Sequence, residues 1–152
     1  MAIKIKNAKQ IEGIRKSSRL AASVLKYLEE FVVPGNTTKF INDKALDFIL
    51  DHGAKSATLG YGGHGVVPFS GAICTSPNEV ICHGVPNQTE LKEGDILNID
   101  VTTILDGYFG DTCKMYAVGD VAENAQKLID VTKECLAIGV KECKPGNRFG
   151  NI

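Results

Sequence analysis

The 152-residue chain lacks most of the features by which a sequence quickly declares its class. Lysine and arginine are scattered, not gathered into a stripe, and the formal net charge is −1. There is thus no electrostatic footprint for nucleic acid or an anionic membrane. No apolar run approaches the roughly 18 residues of a membrane span, and no long apolar segment opens the chain, so it reads as cytoplasmic. Cys74, Cys82, Cys113, Cys135 and Cys143 are odd in number and show no Cys-x-x-Cys spacing. That argues against a disulfide framework or a zinc knuckle and predicts reduced, mostly buried thiols. Also absent are a glycine-rich loop followed by Lys-Ser or Lys-Thr, His-Glu-x-x-His and Gly-x-Ser-x-Gly.

What is present is periodic. Over residues 9–33, Ile11, Ile14, Ala21, Leu25, Leu28 and Val32 recur at three- and four-residue spacing, predicting an amphipathic helix stopped by Pro34-Gly35. A second helix over 38–52 carries Ile41, Ala45, Phe48 and Ile49, with Thr37 or Thr38 as its cap and His52 closing it. A glycine-rich coil follows, with Tyr61, His64 and Phe69. Strands are expected at about 72–75 and 79–83, then at 96–105 and 108–118 around Asp106-Gly107, the strongest hairpin signal in the chain. A third helix over about 122–144 should turn Ala125, Leu128, Leu136, Val140 and Cys143 inward.

An offset of 111 residues places Leu25 on Leu136, Val32 on Cys143, and Pro34-Gly35-Asn36 on Pro145-Gly146-Asn147. Because the match falls at the end of a long amphipathic helix in both places, it suggests an internal repeat. Residues 1–118 would form a first αβ half. Residues 119–152 would begin a second, truncated one, and the chain would be a fragment prone to self-associate through an open sheet edge.

The chemistry concentrates in the hairpin. A two-residue Asp106-Gly107 loop pairs Leu105 with Tyr108, which sets Asp100 opposite Cys113 and Asp111 opposite Thr102. The two aspartates are then diagonal neighbours on one face, roughly 7–8 Å apart at Cα. Their carboxylates can converge on ions about 3.5–4 Å apart in a two-metal site. Leu97, Ile99, Val101, Thr103 and Leu105 line the opposite, core face. Two like charges on a half-buried face need a cation, a shared proton or water. Solvated aspartates are the alternative, and two carboxylates alone are too few donors for two ions. His83 is the best-placed local histidine, although a lone strand histidine is often structural.

The stretches 73–86, 94–101 and 106–112, with their Asn-Glu-Val-x-Cys-His-Gly and Gly-Asp-Thr blocks, closely resemble type I methionine aminopeptidases over nearly the whole chain. The resemblance implies an α+β pita-bread fold of two pseudo-symmetric halves, with an antiparallel sheet and helices packed on one face. Two divalent metal ions (cobalt, manganese, iron or zinc) would be the cofactors. Asp100 would ligate one ion and Asp111 bridge both, while His83 contacts substrate near the scissile bond. Cys74, Phe69 and Tyr61 would line the pocket for the methionine side chain, behind a 62–68 stretch longer than in familiar members. One further histidine ligand, two glutamates and a second catalytic histidine would come from the other half. The activity implied is removal of initiator methionine from nascent polypeptide N-termini at the ribosome. A pita-bread binding protein without peptidase activity, or a proline-type aminopeptidase relative, are the alternatives.

Overall fold

The computed structural model describes residues 3–63 and 65–152; Met1, Ala2 and His64 lie outside the described residues. In chain order the elements are α1 (Ala8–Leu28), a 3-10 turn (Glu29–Phe31), α2 (Thr38–Asp51), β1 (Lys55–Ser56), β2 (Cys74–Pro77), β3 (Ile96–Leu105), β4 (Tyr108–Ala117), α3 (Glu123–Glu142) and a 3-10 turn (Phe149–Asn151).

Local chemistry starts and stops these elements. Asn7 caps α1 by accepting the Gln10 amide, while the Gln10 side chain accepts the Asn7 amide in return. Thr37 caps α2 through the Phe40 amide at 3.1 Å. Asp106 (φ 52°) and Gly107 (φ 80°) both take positive φ, the two-residue turn whose twist matches the strands it joins. The register follows from that turn: Asp100 faces Cys113 and Thr102 faces Asp111, as the sequence predicts.

β3 is the centre of an antiparallel sheet. Along one edge lies all of β4; along the other, β1 pairs near its C-terminal end and β2 near its N-terminal end. One face of β3 presents Leu97, Ile99 and Val101 to Leu20, Ala21, Val24, Leu25 and Leu28 of α1 and to Ile41, Ala45 and Ile49 of α2, the buried core. Each large side chain so buried contributes on the order of 1.5–3 kcal/mol relative to exposure.

Polar groups fix where α1 lies on this sheet. Ser17 and Thr103, both fully buried, bring their hydroxyls to 2.9 Å of each other and each within reach of the other's carbonyl, at 3.1 and 3.0 Å, the two hydroxyl protons being shared among these contacts. The Tyr116 hydroxyl donates to the Leu25 carbonyl at 2.6 Å, and Lys114 pairs with Glu29. At Gly110 the helix comes so close that a Cβ would overlap the Ser17–Ser18 backbone.

The structure corrects several expectations. Residues 79–83 are not a strand: Asn78 (φ 48°) and His83 (φ 56°) both take left-handed conformations, which break extended pairing. The strand expected at 72–75 is displaced to β2, Cys74–Pro77. The α1 region ends earlier as α-helix, its last residues forming the 3-10 turn. Only Cys74 of the five thiols is buried. The apolar residues of α3 do not turn inward, for α3 buries none of its residues, and Leu128, Leu136 and Val140 are exposed. Among the described residues no sheet lies against that helix.

The exits of α1 and α3 nevertheless match in detail. Val32 (ψ 73°) and Cys143 (ψ 72°) occupy corresponding positions, as do Gly35 (φ 91°) and Gly146 (φ 93°). The Asn36 side chain donates to the Phe31 carbonyl at 2.9 Å, and that of Asn147 donates to the Glu142 carbonyl at 3.0 Å.

Candidate metal centre

The face of β3 opposite the core carries Asn98, Asp100 and Thr102. Cross-strand partners share a face, so Asp100 is flanked by Cys74 on β2 and Cys113 on β4, with Asp111 diagonal to it. Asp100 is partly buried and Asp111 exposed. Burial raises the Asp100 carboxyl above its ordinary value, the neighbouring Asp111 carboxylate raises it further, and His83 pulls it back. Burial, followed by Asp100, Cys82 and Asp111, pushes the Cys74 thiol up to about 11, so it stays protonated at neutral pH. Asp100, Asp111, Cys74 and His83 are thereby electrostatic neighbours.

The remaining pocket candidates, Phe69 and Tyr61, lie on the coil that precedes β2. The coil 60–69 closes on itself, the Gly60 amide donating to the Phe69 carbonyl and the Phe69 amide to the Tyr61 carbonyl, both at 2.8 Å. The Phe69 ring lies against Gly71, where a Cβ would also meet Pro86. Tyr61 is 77% exposed.

Two residues that position the segments on either side of β2 carry roles the sequence does not announce: Asn42 is not singled out there, and Thr38 only as a possible helix cap. Asn42, buried on α2, accepts the Ala72 amide at 2.7 Å and the Ile73 amide at 3.4 Å, directing the chain into β2. Thr38, also buried, donates to the Asn87 carbonyl at 3.0 Å and accepts the Asn87 amide at 2.9 Å, anchoring the segment after His83. A signal existed: both fall on the apolar stripe of α2, where a polar side chain needs a buried partner.

The donor set fits a divalent cation in part. Two hard carboxylates brought together at a cost to the ionised form of one of them are a place where positive charge is stabilising. Among the described residues, however, no group of three or more His, Cys, Asp or Glu side chains converges closely enough to hold an ion.

The profile of Metallopeptidase family M24 matches residues 12–152. The chain belongs to that family. It is 50% identical over 147 residues to methionine aminopeptidase B of Synechocystis sp., covering 96% of this chain and 54% of that protein. The crystal structure of methionine aminopeptidase from Rickettsia prowazekii superposes with a TM-score of 0.87 at 46% identity, over 91% of this chain and 54% of that one. That from Thermotoga maritima gives 0.88 at 34% identity, over 95% and 57%. The M24 chain described here thus spans about half the length of the relatives it matches. Over that span its architecture is that of the pita-bread fold.

Proposed function

We propose that this M24 chain supplies the first half of a methionine aminopeptidase, a metal-dependent enzyme that removes the initiator methionine from nascent polypeptides at the ribosome in the cytoplasm. The observation that carries the reading is the diagonal Asp100–Asp111 pair on the open sheet face, with Cys74 and His83 beside it. Asp100 and Asp111 would hold two divalent ions, of cobalt, manganese, iron or zinc. Such ions would supply Lewis acidity toward a scissile carbonyl. Cys74, protonated and buried, offers a neutral polarisable wall for a thioether side chain, and Phe69 and Tyr61 are proposed as its other walls. His83 would orient the peptide group next to the bond that is cleaved.

Residues 119–152 are proposed to begin a second, pseudo-symmetric unit. The equivalent exits of α1 and α3 and the uncovered apolar residues of α3 support this. The further ligands would come from that unit, so a 152-residue polypeptide should self-associate through the open edge of β4 and show no turnover by itself.

Titration of the purified 152-residue polypeptide with Mn2+ tests the ligand assignment. Asp100→Asn and Asp111→Asn should each weaken binding at least about tenfold. Unchanged affinity in both variants would overturn it. Met-peptide hydrolysis by this polypeptide, free of host enzyme, would overturn the half-site reading, and a monomeric mass by light scattering at high concentration would count against self-association.

A further inference from the structure

His83 sits in a backbone conformation that residues with a side chain seldom adopt, at φ 56°. Its loop explains little of this by itself. Residues 79–82 are exposed, Ile81 by 92%, and the one backbone bond recorded for them is the Val80 amide to the Pro77 carbonyl at 2.9 Å. Among the described residues no hydrogen bond holds the His83 ring. The loop is instead fixed at its ends. At the first, the Asn78 side chain donates to Asp95 at 2.9 Å and accepts the Ile96 amide at 3.1 Å. At the other, immediately after His83, Gly84 is gripped twice: the Thr75 amide donates to its carbonyl at 2.9 Å, and its amide donates to the Ser76 hydroxyl at 3.1 Å.

Ser76 pairs with Asn98, so its side chain stands on the Asp100 face of the sheet, yet it is only 2% exposed because Gly84 covers it. The approach is so tight that a Cβ on Gly84 would overlap the Thr75 carbonyl. We propose that Ser76 is a positioning residue whose hydroxyl locks Gly84 against β2 and so holds His83 in its left-handed conformation beside the carboxylate face of β3. Released from this grip, the backbone at His83 would relax toward the extended or right-handed region. Its Cα–Cβ bond would then swing away from Asp100. The inference rests on the reading of His83 as a substrate-contacting residue, but it concerns only what orients that side chain.

The test is amide hydrogen exchange and backbone NMR on the metal-free chain and its Ser76→Ala and Ser76→Thr variants. In the wild type, the Gly84 amide should exchange about tenfold or more slowly than the amides of residues 79 and 82. Ser76→Ala should abolish that difference and move the His83 Cα shift out of the left-handed range, while Ile99 and Val101 amides keep their protection. Ser76→Thr, which retains the hydroxyl, should restore both readouts. The proposal is overturned if wild-type Gly84 exchanges as fast as the loop, a result that needs no variant to fold. It is equally overturned if Ser76→Ala leaves Gly84 and His83 unchanged, if core protection collapses with them, or if Ser76→Thr behaves as the alanine variant does. Mn2+ separates this from the functional reading: broadening of Asp100 and Asp111 resonances, with the His83 ring affected in wild type but less in Ser76→Ala, supports both. Absence of any broadening at the aspartates sinks the metal assignment and leaves the clamp to be decided by exchange.

Discussion

α1 and α3 end in the same way and live in opposite surroundings. Leu25 is 5% exposed and Leu136, its counterpart in the proposed repeat, 68%. The first helix has a sheet beneath it and the second does not, so the amphipathic pattern encodes readiness to be covered, not cover itself. Helical structure survives the difference because backbone bonds and end chemistry are local, whereas burial energy depends on a partner surface.

The sharpest way to break this comparison is to make one substitution in both regions. Gly110→Ala would drive a methyl into the Ser17–Ser18 backbone and should destabilise the chain by more than about 4 kcal/mol in urea denaturation. Gly139→Ala on α3 meets only the terminal Ile152 side chain and should instead stabilise its helix by up to about 1 kcal/mol, read as increased ellipticity at 222 nm. Next in size is the equivalent pair. Leu25→Ala should cost about 2–5 kcal/mol, and Leu136→Ala less than about 0.5 kcal/mol; equal losses would show that α3 is covered in solution.

A smaller effect concerns pH. Asp100 holds its proton more tightly in the fold than in the unfolded chain, where its carboxyl has the ordinary value of 3.8. The folded state therefore binds more protons within that window, and stability falls as pH rises through it. Metal-free Asp111→Asn should flatten the fall that sets in as pH rises above the ordinary value of 3.8, because one raising charge is gone. An identical slope in the variant would remove Asp111 as a cause. Smallest of all, the Thr75 hydroxyl is buried with no partner among the described residues, so Thr75→Val should be neutral or stabilising by up to about 1 kcal/mol by thermal melt.

Legibility in the sequence followed the range of the interactions involved. The Asp106-Gly107 turn fixes ten residue pairs from two adjacent residues, which is why the diagonal of Asp100 and Asp111 could be derived before any coordinates. α1 and α2 were readable from their stripes for the same local reason. The segment 79–83 was not, since its apolar Val80 and Ile81 mimic a strand while its conformation is imposed from β2 and from Asp95, outside the segment. β1 is two residues long and exists only because β3 offers it an edge. The α3 burial expectation failed where the required surface lies outside the element, and the mostly buried thiols failed with it at Cys135 and Cys143.

The Ser17–Thr103 bonds carry a consequence for movement. Two hydroxyls and two carbonyls form a closed ring inside an apolar layer, so the helix behaves as a keyed shaft: sliding it by a single turn would strand both hydroxyls without water or a substitute. Thr103 lies on β3 between Thr102, which faces Asp111, and Ile104. The strand bearing one aspartate and its neighbour bearing the other are thus referenced to the same key, and whatever adjusts on the open side must do so against a floor that does not shift.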